Sequence, residues 1–288
     1  MGNVVLDLTE SAAAAGQKRP GNGSLHRMRR ALGVAARPLH ALRQFAGSAL
    51  FMRPGDIPLF LRSRRTDAAV ARLRAGVGAR TAFETVYRDC ADPWASASRR
   101  YHYQHRKYRT LVAFLPEQRR YARALDLGCG LGVLTRLLAG RSDSVLGLDV
   151  AQAAVDRAAT AHADIGNIRF AQGDVLDLPA ELDGCFDIVT IADMLYYLSP
   201  MSDELLKLVA LRVAALLAPS GICLLGNHFF FGHDRDSRLS QRIHRAFAWS
   251  PQFHVVCEHW RPFYLVSVLG VAPIRTPAET AAAASWRR

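Results

Sequence analysis

Residues 124–132 read Ala-Leu-Asp-Leu-Gly-Cys-Gly-Leu-Gly, an apolar run that ends in three alternating glycines. This pattern predicts a buried strand followed by a tight turn into a helix. At Gly128, Gly130 and Gly132 the absence of a Cβ lets the backbone of the turn approach a ligand closely. The turn is therefore predicted to be a binding site.

On both sides of this turn, short apolar runs alternate with segments of helical periodicity. Such alternation predicts an α/β fold, a Rossmann-like doubly wound sheet that is mostly parallel with one antiparallel edge strand. The predicted parallel strands are Ala124–Leu127, Ser144–Leu148, Ile168–Gln172, Phe186–Ala192 and Gly221–Gly226, and the antiparallel strand is Phe263–Leu269. The predicted helices are Lys107–Leu115, Leu131–Ala139, Ala151–Ala163 and Asp203–Leu217, with a short helix Thr66–Leu73 before them.

Acidic residues follow three successive predicted strands. Asp126 precedes a G-x-G-x-G turn rather than the G-x-G-x-x-G turn that seats a pyrophosphate, so the ligand is expected to lack phosphate and Asp126 to take an ammonium group. Asp149 ends the second strand, where a carboxylate accepts ribose hydroxyls. Asp174 and Val175 follow the third, suited to an adenine amine and ring. Together these residues predict a site for adenosine joined to an amino acid, as in S-adenosylmethionine (SAM).

The motif D-x-G-x-G-x-G and the two later acids resemble the class I SAM-dependent methyltransferases over about residues 84–270. Asp92-Pro93-Trp94, residues 103–108 and residues 194–198 are similar to the nodulation protein S group of that family. This resemblance implies that Arg106 meets the SAM carboxylate and that nearby aromatic residues help cover the site. It also implies N-methylation of an amino sugar or related amine, with O-methylation as the alternative.

Methyl transfer requires alignment of donor and acceptor and exclusion of water, and no metal is predicted. An amine or hydroxyl acceptor must also lose a proton, and the candidate catalytic residues are Asp193, Tyr196 and His228. His228 is the favoured base because it directly follows the fifth predicted strand. Alternatively, His228 only hydrogen-bonds neighbouring loop groups.

The net charge of +12 is concentrated near the N-terminus. Residues 1–80 hold fourteen Arg or Lys and four acidic residues, and they are predicted to form a basic, partly flexible helical extension of a methyltransferase domain over residues 81–288. Residues 24–75 either pack on that domain or contact a membrane surface or an acidic partner. Because every predicted cofactor residue follows residue 100, removal of residues 1–80 is expected to leave SAM affinity intact.

The expected partner is a small-molecule methyl acceptor rather than nucleic acid. Methylation of a flipped base would favour an Asn-Pro-Pro-Tyr-like sequence after the fourth strand, where this chain has Ala192-Asp193-Met194-Leu195. Five singly spaced cysteines, no export signal and no long apolar run predict a cytoplasmic protein. The alternative to an enzyme is a non-catalytic SAM-binding or adaptor protein that docks through its basic arm.

Overall fold

The computed structural model describes residues 53–117, 119–198, 202–229, 233–261 and 263–272. All of these residues belong to one compact unit, Gln44–Arg288. The predicted helical stretch before residue 53 lies outside the described residues.

A seven-stranded sheet forms the centre of the unit. Its strands are β1 (Tyr121–Leu127), β2 (Ser142–Asp149), β3 (Ile168–Gln172), β4 (Phe186–Ala192), β5 (Leu217–Phe229), β6 (Phe253–Arg261) and β7 (Phe263–Val271). They are ordered β3-β2-β1-β4-β5-β7-β6, and β1 to β5 are parallel. β7 pairs antiparallel with β5, and β6 pairs antiparallel with β7. The predicted Rossmann-like fold class is confirmed.

Helices cover both faces of this sheet. They are α1 (Ile57–Val77), α2 (Ala79–Asp89), α3 (His102–Ala113), α4 (Val133–Ala139), α5 (Gln152–Ala161), α6 (Asp203–Leu216) and α7 (Arg235–Ala248). Successive side chains of a strand point to opposite faces, so Leu125 of β1 packs in the cluster that contains α6 and α7 residues. Its neighbour Ala124 packs in the cluster that contains α3 and α4 residues. Burial on both faces explains why the central parallel strands β1, β4 and β5 are mostly apolar runs.

The chain order reverses between β1 and β4. From β1 the chain runs to β2 and β3 on one side, and then returns to β4 and β5 on the other. Open parallel sheets bind ligands at the carboxyl ends of the strands on either side of such a reversal. The fold therefore places the glycine turn after β1 in the crevice where a ligand is expected.

Four elements of the structure differ from the prediction. The predicted short helix Thr66–Leu73 is part of the longer α1, which ends at Val77 and is capped by Gly78. α2, α7 and β6 were not predicted. The only antiparallel strand predicted, Phe263–Leu269, is β7, and the sheet edge is formed by β6. Among the described helices, none is long and apolar enough to cross a membrane.

Candidate active site

A cavity of about 390 Å³ lies at the carboxyl ends of β1, β2, β4 and β5. On one side it is lined by the glycine turn, Asp149, Asp174 and Val175. On the other side it is lined by Asp193, Tyr196 and His228. The structure thus brings the predicted cofactor and catalytic residues to one cavity, with Arg106, Asp126 and Gly132 absent from its lining.

The glycine turn requires residues without a Cβ. Gly128, Gly130 and Gly132 have φ angles of 70°, 53° and 75°, in the left-handed region that other residues rarely adopt. A Cβ on Gly128 would lie 2.6 Å from Cγ of Met194, and one on Gly130 would lie 2.9 Å from the Tyr87 hydroxyl. Gly132 packs against the rings of Phe170 and His162 instead. Two of the three predicted glycines therefore border the cavity, and Gly132 shapes the turn from behind.

Asp149 and Asp174 are each fixed by backbone N–H groups. Oδ2 of Asp149 accepts from Gly130 N at 2.9 Å, and Oδ1 accepts from Ala151 N at 3.0 Å. Burial raises the pKa of Asp149, although these hydrogen bonds oppose the rise. Oδ1 of Asp174 accepts from Leu176 N at 3.0 Å at the start of the 3-10 turn Val175–Asp177. Both carboxylates border the cavity and are held in place by the main chain.

Asp126 does not face the cavity, so the predicted contact with an ammonium group is not supported. Its carboxylate lies inside the sheet and accepts hydrogen bonds from the Thr135 and Thr190 hydroxyls at 2.6 and 2.7 Å. Burial raises the pKa of Asp126 to about 6. Its side chain ties β1 to β4 and to α4 below the glycine turn.

Arg106 does not line the cavity either, because it lies on the exposed face of α3. Residues four apart share a helix face, whereas residues two apart do not. Gln104 and Tyr108 share the face that borders the cavity. The geometry therefore does not support the carboxylate contact that the resemblance implied for Arg106.

The acceptor side of the site contains a chain of three charged or titratable groups, Lys107, Asp193 and His228. Nδ1 of His228 lies 2.6 Å from Oδ1 of Asp193, and the Lys107 ammonium donates to Oδ2 of the same carboxylate. Asp193 has a φ of 56°, an uncommon angle for a residue other than glycine that is often found at functional sites. Burial alone would raise the pKa of Asp193, but the charges of His228 and Lys107 outweigh it and hold the pKa below its usual range.

Tyr196 completes this side of the cavity. Its ring meets the His228 ring edge to face, with 6.0 Å between the ring centroids. Burial raises the pKa of Tyr196 well above its usual value. Tyr196 therefore stays protonated near neutral pH and can donate a hydrogen bond but not accept a proton.

Helix α1 supports an aromatic wall of the cavity that includes Trp94 and Tyr197. Oδ1 of Asp67 accepts from Trp94 Nε1 at 2.8 Å and from the Tyr197 hydroxyl at 2.6 Å. Arg74 donates to the Tyr197 carbonyl, and Ser63 lines the cavity itself. Residues within 1–80 thus line or support the cavity, and the expectation that their removal leaves SAM affinity intact stays a prediction.

Two supporting residues, Lys107 and Asp67, were missed by the sequence analysis. A lysine and an aspartate within helices rich in polar residues look like surface residues. A signal for Lys107 did exist, because the chain contains only two other lysines, Lys18 and Lys207, and many arginines. No comparable pattern distinguishes Asp67.

Comparison with known proteins agrees with this geometry. Residues 124–221 match the family model described as a methyltransferase domain. Residues 124–221 of this chain therefore carry a methyltransferase domain. The matched residues of the domain run from β1 to the start of β5 and include the glycine turn, Asp149 and Asp174. The methyltransferase resemblance predicted from the motifs is confirmed.

The match between this chain and each curated relative covers only part of the relative's length. Nodulation protein S of Rhizobium tropici is 26% identical over 153 residues, which span 53% of this chain and 59% of that protein. Trans-aconitate 2-methyltransferase of Deinococcus radiodurans is 43% identical over 83 residues, 28% of this chain and 30% of that protein. The chain therefore matches less than two thirds of the length of either relative.

A solved structure shares the fold. The N-methyltransferase NodS from Bradyrhizobium japonicum, in complex with S-adenosyl-L-homocysteine, superposes with a TM-score of 0.56. The match covers 66% of this chain and 97% of that one, at 18% identity. This likeness extends the shared fold beyond the part matched by the family model.

Proposed function

We propose that this protein transfers a methyl group from SAM to the amine of a small molecule, such as an amino sugar or a related amine. The observation that carries the proposal is that one cavity joins the glycine turn to the Asp193–His228 pair. One side suits an adenosine ligand, and the other suits an acceptor that loses a proton. The proposal thus accounts for both sides of the cavity.

The cofactor side has groups suited to the adenosine part of SAM. In our proposal the main chain at Gly128 and Gly130 approaches the ligand closely, Asp149 accepts from the ribose hydroxyls, and Asp174 and Val175 meet the adenine. Two observations support this assignment. A Cβ added at either glycine would clash with a neighbouring side chain, and the two carboxylates are held in place by hydrogen bonds from the main chain. When bound, SAM supplies a methyl group activated by a positively charged sulfur.

At the acceptor side, His228 serves as the base. Because Asp193 accepts from Nδ1–H, the neutral imidazole has its basic lone pair on Nε2, as in other Asp–His pairs. His228 then takes the proton that the acceptor nitrogen loses. Asp193 orients the ring and stabilises its protonated form, and the Tyr196 ring fixes its other side.

The charge of the cavity favours an amine over an acidic acceptor. Among the described residues that line it are three carboxylates, those of Asp149, Asp174 and Asp193, and neither an arginine nor a lysine. An acceptor with a carboxylate or phosphate would lose water there without gaining a cationic partner, which is costly. A neutral amine does not carry this cost, and on the acceptor side it meets the Asp193–His228 pair.

The basic extension has a role separate from the chemistry of the cavity. Residues 24–75 are predicted either to pack on the domain or to contact a membrane surface or acidic partner, and three arginines of α1 bind the domain. Arg62 donates to the Asp92 carbonyl, Arg64 pairs with Asp236 at 2.6 Å, and Arg74 binds the main chain near the cavity. In the described part of this segment, packing on the domain is therefore the better supported role.

The test uses SAM that carries a deuterated methyl group and a panel of amine and hydroxyl metabolites. Mass spectrometry identifies which acceptor gains the label. Labelled amines support the proposal, labelled hydroxyls alone would make the protein an O-methyltransferase, and no labelled product would contradict methyl transfer. The best acceptor then serves to compare wild type with a variant of the base.

His228→Ala should lower turnover by about 10² or more at neutral pH, and the loss should shrink as pH rises and the amine deprotonates by itself. SAM affinity should persist, because His228 lies on the acceptor side. His254→Ala, on the exposed edge strand, is the matched control and should keep wild-type rates. Equal rates for wild type and His228→Ala across pH 6 to 9 would exclude His228 as the base.

A further inference from the structure

We propose that Lys107 is a positioning residue that acts through Asp193 to set the charge felt by His228. This inference rests on the proposed role of His228 as the base. Lys107 itself does not line the cavity. Its effect on the acceptor would therefore be indirect, through the carboxylate that it shares with the imidazole.

The burial of Lys107 is the first step of the argument. Its side chain is 2% exposed, and its ammonium donates to Asp193, whose side chain is 12% exposed. The ammonium also lies 5.9 Å from the ring centre of Tyr103 and 5.4 Å from that of Tyr108. Lysine is rarely buried without a paired charge, and this one is buried with its charge directed at the carboxylate that holds His228.

The two carboxylate oxygens of Asp193 contact different side chains. Oδ1 meets His228 and Oδ2 meets Lys107, so a single carboxylate lies between two nitrogen groups. The main chain at Asp193 is in the left-handed region, and its N–H donates to the Gly226 carbonyl at 2.9 Å on β5. The carboxylate is thereby fixed between α3 and the end of β5.

The charge balance follows from this arrangement. With Lys107 present, the carboxylate charge is shared between the ammonium and the imidazole. Without Lys107, the same buried carboxylate would act on His228 alone and would favour the protonated ring more strongly. A protonated ring cannot accept the proton of the acceptor, so Lys107 keeps His228 available as a base.

Among the described residues, the other titratable groups considered near His228 do not provide this charge. Burial raises the pKa values of Tyr108 on α3 and Tyr196 after β4, and both rings stay neutral near pH 7. Burial lowers the pKa of His244 on α7 to about 3, so that ring is also neutral. Tyr264 lies opposite His228 on β7. Asp193 and Lys107 are therefore the charges that we expect to govern His228.

The experiment follows the imidazole signal of His228 by NMR in the full chain, with the signal assigned by its loss in His228→Gln. Lys107→Met should move the titration midpoint of this signal to higher pH by about one pH unit or more. Lys107→Arg, which keeps the charge, should restore the wild-type midpoint. Lys207→Met removes an exposed lysine of α6 and should leave the midpoint unchanged.

A second pair of variants avoids leaving the carboxylate unpaired, in case Lys107→Met does not fold. Asp193→Asn leaves the ammonium facing the imidazole, so the midpoint should fall below that of wild type. Addition of Lys107→Met to Asp193→Asn should raise it again. An unchanged midpoint in Lys107→Met, or in the double variant relative to Asp193→Asn, would overturn the proposal.

These measurements need no methyl acceptor, so they are separable from the proposed function. A shifted midpoint together with full methyl transfer by His228→Ala would uphold the coupling of Lys107 to His228 and reject His228 as the base. With an acceptor in hand, Lys107→Met should also move the acid limb of the pH profile of kcat/KM to higher pH. A role in folding alone would lower stability without moving this limb.

Discussion

Gly128→Ala perturbs the glycine turn at a point where two separate costs can be worked out. The residue has a φ of 70°, and alanine in the left-handed region costs about 1–2 kcal/mol. The new Cβ would lie 2.6 Å from Cγ and 2.9 Å from Cβ of Met194, which lines the cavity. Displacement of a packed side chain adds about 1–3 kcal/mol. The total loss in the free energy of unfolding should be about 2–5 kcal/mol.

Gly184→Ala is the matched control for this variant. Gly184 has a φ of 66° in an exposed turn before β4, and a Cβ there would meet no atom within 4 Å. It should cost only the backbone strain of about 1–2 kcal/mol and keep wild-type SAM affinity. Gly128→Ala should also weaken SAM binding, because Met194 moves at the cavity wall.

Urea unfolding and calorimetry with SAM measure both quantities. Addition of Met194→Ala to Gly128→Ala should recover part of the lost SAM affinity, because it removes the contact with Cγ while the contact with Cβ remains. The reasoning would be refuted if Gly128→Ala and Gly184→Ala lost equal stability and both kept SAM affinity. It would be refuted equally if Met194→Ala brought no recovery.

Two further variants test the acids that follow β1 and β2. Asp149→Ala should weaken SAM binding by about 1–3 kcal/mol in calorimetry, because the ribose hydroxyls lose their acceptor, and unchanged affinity would exclude that role. Asp126→Asn tests the buried acid. Because burial raises the pKa of Asp126 from 3.8 to about 6, the folded state binds its proton more tightly than the unfolded chain, and stability falls as pH rises across this window. Denaturant unfolding at pH 3.5 and 7 should show that Asn removes up to about 3 kcal/mol of this fall. An identical pH dependence in wild type and variant would contradict the assignment.

The central parallel strands β1, β4 and β5 could be predicted because they are buried on both faces. β1, for example, is an apolar run that leads into the glycine turn, and β4 is also an apolar run. β6 was missed because a register shift between Val255 and Cys257 interrupts its alternation, and because it is an edge strand. α7 was missed because arginines and other polar residues dominate it, although Ile243 and Phe247 are fully buried.

The site was predictable where a residue type has a distinctive local reason. Gly128 and Gly130 are required by backbone conformation, and Asp149 and Asp174 follow strand ends. The direction of a side chain was not predictable. Asp126 turns into the sheet towards two threonines, a choice that depends on Thr190, 64 residues away.

The same limit applies to the acceptor side. His228 and Asp193 were both identified as candidates, but their contact joins β5 to the end of β4 across 35 residues. Lys107 enters from α3, in a segment where the resemblance had pointed to Arg106. One residue of difference on a helix turns a side chain by about 100°, from the exposed face to the buried one.

Release of S-adenosylhomocysteine, measured as a function of an added amine acceptor, tests the central claim most directly. SAM binding alone does not distinguish an enzyme from a SAM-binding adaptor protein. The account predicts that S-adenosylhomocysteine forms only when an acceptor amine is present and in equal amount to the methylated amine. SAM that binds but yields no S-adenosylhomocysteine with any amine or hydroxyl acceptor would contradict it.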